Sequence, residues 1–141
     1  ENCLCRKPKA GLIEITKKLV PQLKAKGANI IVVIAHAGSV QETPSSPHVG
    51  EIIDYARNLP KGLVDVIISA HTHRKVETFV NEIPVIQASC NTSHLGKIEL
   101  FLDEKSKTIL KEKTKLELIE LFSNEEGKPS KIKKSPSFLK N

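Results

Sequence analysis

The chain has 141 residues, of which 39% are hydrophobic and 27% charged, and its formal net charge is +6. That length fits one domain with a real core, and no apolar run approaches the roughly 18 residues that a transmembrane helix needs. Aromatic residues make up only 4% of the chain. Their scarcity argues against a surface that stacks bases, so we expect no nucleic-acid polymer as a partner. Three cysteines, Cys3, Cys5 and Cys90, fit neither a disulfide framework nor a zinc-ribbon spacing.

The first predicted element is a helix over residues 10–26. Five apolar residues and one threonine fall on one stripe of this helix: Leu12, Ile13, Thr16, Leu19, Val20 and Leu23. Pro21 lies inside the stripe and predicts a kink or an early stop, and Gly27 is placed to cap the carboxyl end. The chain begins with Glu1 and shows no signal peptide. We therefore expect a processed chain or a piece of a longer one.

Two apolar strands and an intervening helix come next. The run NIIVVIA, residues 29–35, is apolar after its first residue, which predicts a strand covered on both faces, as in a parallel sheet. Residues 38–50 form a loop rich in Ser, Pro and Gly. A helix is then predicted from the spacing of Ile52, Ile53, Ala56 and Leu59, and the run LVDVIISA, residues 63–70, predicts a second buried strand. This order predicts a right-handed βαβ unit with parallel strands.

After the second strand the hydrophobic pattern changes to short alternating runs. KVETFV, PVIQAS and KIELFLD occupy residues 75–80, 84–89 and 97–103 and predict an antiparallel meander. The early part of TILKEKTKLELIEL, residues 108–121, also alternates like a strand. The predicted fold class is therefore α/β, a βαβ unit plus an antiparallel meander. We assign residues 1–121 to the domain and expect the Lys-rich residues 122–141 to form a disordered tail.

Histidine follows each strand of the predicted βαβ unit, in the dipeptide Ala-His. Ligands in open α/β sheets bind beyond the carboxyl ends of the strands, so His36 and His71 are expected at one binding edge. His73 follows two residues later, and imidazole is the commonest protein ligand of metals. Taken alone, the pattern His-x-His at His71 and His73 favours capping of the strand and bonding to backbone groups over metal binding. His36 shifts the balance towards a site for Zn, Mn or Fe, with His94 and, less strongly, His48 as further candidates for a functional role.

Three segments together resemble the calcineurin-like metallophosphoesterases, in particular their 5′-nucleotidase and 2′,3′-cyclic-nucleotide phosphodiesterase branch. They read GANIIVVIAHAG, LVDVIISAHTH and NEIPVIQASCNTSHLGKIEL. The resemblance extends from about residue 12 to residue 118 and implies the C-terminal half of a catalytic domain with an α/β/β/α sandwich. It implies that His36 and His71 bind one divalent ion and His73 a second, among Zn, Mn, Fe, Mg and Ca. Asn91 and His94 fall in the family's closing loop and would contact the substrate or support the metal ligands.

The same resemblance exposes a missing set of ligands. The family's upstream motifs, Asp-x-His, Gly-Asp-x-x-Asp and Gly-Asn-His-Glu/Asp, do not occur in this chain, so no catalytic residue is visible in it. The resemblance implies two-metal hydrolysis of a small phosphoester, expected to be a nucleotide, with little activity from this chain alone. It also implies a periplasmic or otherwise extracytoplasmic location.

Two other interpretations remain open at this point. The chain could be a non-catalytic, truncated paralogue that keeps the fold as a binding or vestigial module. It could also be an amidohydrolase, because amidohydrolase metal sites likewise place His-x-His after a strand. The antiparallel segment predicted after the second strand disfavours the amidohydrolase, whose barrel would continue with further βα units.

Overall fold

Two helices and six strands make up the part of the chain that the computed structural model describes, residues 10–121. In chain order they are α1 (Ala10–Ala25), β1 (Val32–Ala35), α2 (Glu51–Asn58), β2 (Val66–Ser69), β3 (Lys75–Val80), β4 (Ile83–Ala88), β5 (His94–Glu99) and β6 (Lys115–Glu120), with a short 3-10 helix at Lys111–Lys113. The α/β class predicted from the sequence is confirmed. Residues 122–141, for which a disordered tail was predicted, lie outside the described residues.

The four strands β1 to β4 form one mixed sheet in the order β1-β2-β4-β3. β1 and β2 run parallel, with Val32 opposite Val66 and Ala35 opposite Ser69, which confirms the parallel strands of the predicted βαβ unit. β4 runs parallel to β2 and antiparallel to β3. The β3–β4 connection is a two-residue turn in which Asn81 and Glu82 have positive φ angles of 52° and 65°, the backbone conformation that suits a tight hairpin.

The last two strands leave this sheet, so the predicted antiparallel segment is divided between the β3–β4 hairpin and a second sheet. β5 and β6 form a separate antiparallel sheet, with His94 opposite Glu120 and Glu99 opposite Lys115. The strand predicted in the early part of residues 108–121 lies instead in the later part. The early part instead contains Ile109, which forms an isolated bridge with Leu102, and the 3-10 helix. Alternation identified the strands, but it carries no information about which strand pairs with which.

Helix α1 runs through Pro21, so the predicted early stop is wrong. The helix ends where Gly27, with φ of 95°, adopts the left-handed conformation expected of a cap. Gly27 N–H donates to the Lys24 carbonyl at 3.0 Å, and Ala28 N–H donates to the Leu23 carbonyl at 3.1 Å. These are the two hydrogen bonds of the Schellman motif. No helix within residues 10–121 is long and apolar enough to span a membrane.

The hydrophobic core lies between the four-stranded sheet and the two helices. Its members include Val20 of α1, Ile52 and Ile53 of α2, Ile67 of β2 and Val85 of β4. The predicted stripe of α1 is therefore divided between the core and the surface. Val20 is buried and Ile13 packs against the core, whereas three leucines of the stripe are exposed: Leu12, Leu19 and Leu23.

The opposite face of the same sheet is covered only in part. Ile34, Ile68 and Ile86 lie side by side on β1, β2 and β4, and their exposures are 79%, 40% and 3%. The β5–β6 sheet closes the β4 end of this row, because a Cβ on Gly96 would lie only 3.0 Å from Ile86 Cδ1. Nothing within residues 10–121 covers Ile34 in the same way. The prediction that the first strand is covered on both faces is therefore wrong for the described part of the chain.

Candidate metal centre at the carboxyl edge of the sheet

His36 and His71 lie next to each other at the carboxyl edge of β1 and β2. The parallel register ends with Ala35 opposite Ser69, so the segments that follow β1 and β2 leave the sheet side by side. His71 Nδ1 is 3.1 Å from His36 Nε2, and the ring centroids are 5.0 Å apart with the ring planes inclined at 67°. Both side chains are exposed to solvent. The fold thus brings together two histidines that are 35 residues apart in the sequence.

The spacing of the two nitrogens fits adjacent positions around one divalent metal ion. Metal–imidazole bonds of about 2.0–2.1 Å, meeting at the angles of octahedral or tetrahedral coordination, place neighbouring nitrogens about 2.8–3.4 Å apart. The observed 3.1 Å lies inside that interval. Without metal, the same spacing lets an N–H of one ring donate to the unprotonated nitrogen of the other. Within residues 10–121 no group of three or more His, Cys, Asp or Glu side chains is arranged to hold a metal ion. Among the described residues the edge therefore offers two candidate ligands, fewer than a closed metal site needs.

His73 lies in the same loop as His71 but is not brought into a three-residue cluster with the pair. His71 and His73 have φ angles of 93° and 55°. Left-handed backbone is uncommon for residues other than glycine and costs on the order of 1 kcal/mol or more. Such a loop persists only where surrounding contacts hold it. Ser89 supplies two of these contacts, from its N–H to the Arg74 carbonyl at 3.2 Å and from its hydroxyl to the His73 carbonyl at 3.5 Å.

The two histidine loops are also packed directly against each other. The Thr72 hydroxyl donates to the Ser39 carbonyl at 2.6 Å, and a Cβ on Gly38 would collide with the Thr72 side chain. Gln87, buried on β4, donates to the Thr72 hydroxyl at 2.9 Å and to the Arg74 carbonyl at 2.8 Å. Sequence reasoning missed these residues. The available signal was Gln87 itself, a polar residue inside the apolar run PVIQAS.

Asn91 and His94, the tentative substrate-contacting residues, lie elsewhere on the fold. Asn91 is exposed in the turn before β5 with φ of 52°. His94 begins β5, is half-buried, and its Nδ1 lies 2.9 Å from the Ser93 hydroxyl. No hydrogen bond within the described residues links either side chain to His36 or His71. Their roles therefore stay predictions.

His48 is connected to the histidine edge through Ser39. Its Nδ1 lies 3.4 Å from the hydroxyl of Ser39, which is completely buried. Partial burial lowers the pKa of His48 below its ordinary value, because removal from water disfavours the charged imidazolium. His48 lines a cleft with Gln41, Arg57 and other residues, and neither His36 nor His71 lines that cleft.

The fold of the described residues matches part of a calcineurin-like phosphoesterase. The crystal structure of the calcineurin-like phosphoesterase YfkN from Bacillus subtilis matches with a TM-score of 0.59 and 26% identity, covering 75% of this chain and 35% of that one. A candidate 5′-nucleotidase from Staphylococcus aureus matches with a TM-score of 0.57 and 24% identity, covering 84% of this chain and 24% of that one. At 24% identity, the match to the Staphylococcus aureus protein shows a similar fold and nothing further.

Curated relatives show the same partial homology. The chain is 32% identical over 107 residues to the trifunctional nucleotide phosphoesterase protein YfkN of Bacillus subtilis, covering 66% of this chain and 7% of the relative. It is 28% identical over 109 residues to the 2′,3′-cyclic-nucleotide 2′-phosphodiesterase/3′-nucleotidase of Salmonella typhimurium, covering 67% of this chain and 16% of the relative. No family model matches the chain. The resemblance inferred from the sequence is confirmed as homology to a part of these phosphoesterases, and the chain spans less than a fifth of the curated relatives' length.

Proposed function

We propose that this chain supplies part of the binuclear metal centre of a phosphoester hydrolase that acts on nucleotides. The observation that carries the proposal is the 3.1 Å separation of His36 Nε2 and His71 Nδ1 at the carboxyl edge of the parallel strands. In this proposal His36 and His71 bind one divalent ion and His73 binds a second, with Zn, Mn, Fe, Mg and Ca as candidates. The nucleotide substrate is proposed from the printed names of YfkN and of the Salmonella enzyme.

The proposed role of the chain's own residues is to hold and orient the ions. Bound divalent ions would act as Lewis acids towards a phosphoester and lower the pKa of a bound water. His36 and His71 present their nitrogens at the solvent-facing edge of the sheet, where a small phosphoester has access. The parallel register holds the two strand ends at a constant separation.

We further propose that the remaining ligands come from polypeptide that packs along β1. Within residues 10–121, β1 has a strand neighbour on one side only, and such an edge is a template for pairing with another strand. Ile34 and Ile68 leave the adjoining face open, as expected of a surface that another segment covers. The matched structures extend far beyond the part that this chain spans. If a strand paired parallel to β1, carboxylates at its carboxyl end would lie next to His36. An extracytoplasmic location is proposed from the family resemblance alone.

Metal binding tests the proposed ligands directly. The whole chain is titrated with Zn²⁺ or Co²⁺ in a calorimeter, and weak binding is expected. His36→Ala and His71→Ala should each reduce the metal affinity by about tenfold or more. His48→Ala removes an imidazole outside the pair and serves as the matched control, for which unchanged affinity is expected. Equal affinity in all four proteins would contradict the assignment of His36 and His71 as ligands.

Hydrolysis tests the proposed activity. With Mn²⁺ present, the chain alone should turn over little or no bis-p-nitrophenyl phosphate, because its ligand set is incomplete. Adding the segment of YfkN that precedes the matched region should produce turnover, and His71→Ala should abolish it. Robust turnover by the chain alone would refute the partial site. Tight association with the added segment without any turnover would favour the alternative, a non-catalytic binding module.

A further inference from the structure

Gln87 is a buried amide directly beneath the loop that carries His71 and His73. It is 2% exposed and is the only polar residue of β4. Its Nε2 group donates to the Thr72 hydroxyl at 2.9 Å and to the Arg74 carbonyl at 2.8 Å, and its Oε1 accepts from the Ser69 hydroxyl at 3.5 Å. Both hydrogens of the amide group are therefore used by the loop after β2.

Thr72 extends this connection to the loop after β1. Its hydroxyl accepts a hydrogen bond from Gln87 and donates one to the Ser39 carbonyl at 2.6 Å. The Thr72 hydroxyl therefore acts as acceptor and donor at the same time. A continuous series of hydrogen bonds consequently joins β4 to the two loops that follow His36 and His71. Gly38 allows the close approach, because any larger residue there would meet the Thr72 side chain.

The hydrogen bonds hold a backbone conformation that the loop sequence does not favour. The φ of 93° at His71 is unfavourable for a residue with a Cβ, and it is this conformation that turns the chain at the strand end. A buried amide without partners would be destabilising. Gln87 and the strained loop are therefore mutually dependent, since the amide is satisfied only when residues 72–74 occupy their observed places. If position 87 of β4 only had to fill space, an apolar side chain of similar size would do so equally well. Packing alone therefore does not explain the amide of Gln87.

We propose that Gln87, acting through Thr72, is a positioning residue that holds the His71 ring against His36 at metal-binding distance. The proposal rests on the proposed function, because it assigns these two histidines as ligands. Neither Gln87 nor Thr72 is proposed as a metal ligand. Partners that orient ligands in this way typically contribute about 10–100-fold to metal affinity.

Three variants separate positioning from general stabilisation. Gln87→Met keeps an unbranched side chain of similar length but removes both donors. Thr72→Val keeps the shape of threonine but removes the hydroxyl, while Thr72→Ser retains the hydroxyl and should rescue the loss. The whole metal-free chain is first examined by NMR for a nuclear Overhauser contact between the His36 and His71 rings, and Zn²⁺ affinity is then measured by calorimetry.

We expect Gln87→Met and Thr72→Val to lose the contact between the rings and about tenfold or more in Zn²⁺ affinity, whereas Thr72→Ser keeps both. Folded variants that retain both the contact and the affinity would overturn the proposal. If Gln87→Met does not fold, Thr72→Val against Thr72→Ser decides the outcome, because Thr72 is only half-buried and lies in an otherwise exposed loop. Failure of the wild-type chain to bind Zn²⁺ would contradict the proposed function, and the ring contact would still test the positioning.

Discussion

Ile34, Ile68 and Ile86 have the same side chain on three neighbouring strands of one sheet face, and they differ mainly in what covers them. Their exposures of 79%, 40% and 3% predict that alanine substitutions have graded effects on stability. Complete burial of an isoleucine side chain is worth about 1.5–3 kcal/mol. About a fifth of the Ile34 surface is buried, so its truncation should lower the free energy of unfolding by about 0.3–0.6 kcal/mol through burial.

The other two substitutions should be more destabilising. Ile68 is a little over half buried, which corresponds to about 0.9–1.8 kcal/mol. Ile86 is enclosed between β4 and the β5–β6 sheet, so a cavity adds to the lost burial and the total reaches about 2–5 kcal/mol. Replacing isoleucine by alanine also lowers β-propensity, an effect of up to about 1 kcal/mol in each strand. The differences between the three variants therefore carry the prediction.

Urea unfolding of the whole chain, followed by circular dichroism, measures these differences. We expect the midpoint to fall in the order Ile34→Ala, Ile68→Ala, Ile86→Ala, with the smallest decrease for Ile34. Equal destabilisation by Ile34→Ala and Ile86→Ala would refute the open face. Repeating the titration at tenfold lower protein concentration controls for self-association, because cover provided by a second copy would be lost on dilution.

Three further substitutions test other parts of the fold. Gly38→Ala should lower the free energy of unfolding by about 1–3 kcal/mol, because its Cβ would displace Thr72. Gly11→Ala, in open space within α1, is its control and should show no such loss in urea. Pro21→Ala should raise the melting temperature, because it restores a backbone N–H inside α1 and removes a clash worth up to about 3 kcal/mol; a lower melting temperature would contradict this. His48 has a lowered pKa, so the folded chain binds its proton less readily than the unfolded chain. Stability should therefore be greatest above the unfolded pKa of about 6.5 and fall as the pH drops through the folded value, and His48→Gln should reduce the difference between urea midpoints at pH 7 and pH 5.

Much of the candidate site was predictable because its signals are local. Apolar runs and helical spacing identified β1, α2 and β2 in the correct order. Parallel strands joined by a helix must end at the same edge of a sheet. The Ala-His dipeptides therefore placed His36 and His71 together before any contact was known, and the structure brings their nitrogens to 3.1 Å.

The failures concern contacts between distant segments. The apolar run of β1 predicted cover on both faces, yet Ile34 is exposed within the described residues. Hydrophobicity records that a face is suited to burial, whereas cover depends on which other segments are present and where they pack. The pairing of β5 with β6 was missed for a similar reason, since alternation is equally compatible with several neighbours. Gln87 was visible as a polar residue in an apolar strand, but its partners lie 13 and 15 residues away.

The sequence by itself determined the βαβ unit, the common edge of His36 and His71, and the likeness to phosphoesterases, because each depends on short-range periodicity or on contiguous motifs. Tertiary structure alone decided that these two rings meet at metal-binding distance while His73 does not join them. It also decided that a buried amide spans the gap to their loops and that one face of the sheet is left half covered. Those features depend on strand register and on packing between segments far apart in the chain, where side chains meet only after the whole fold has formed.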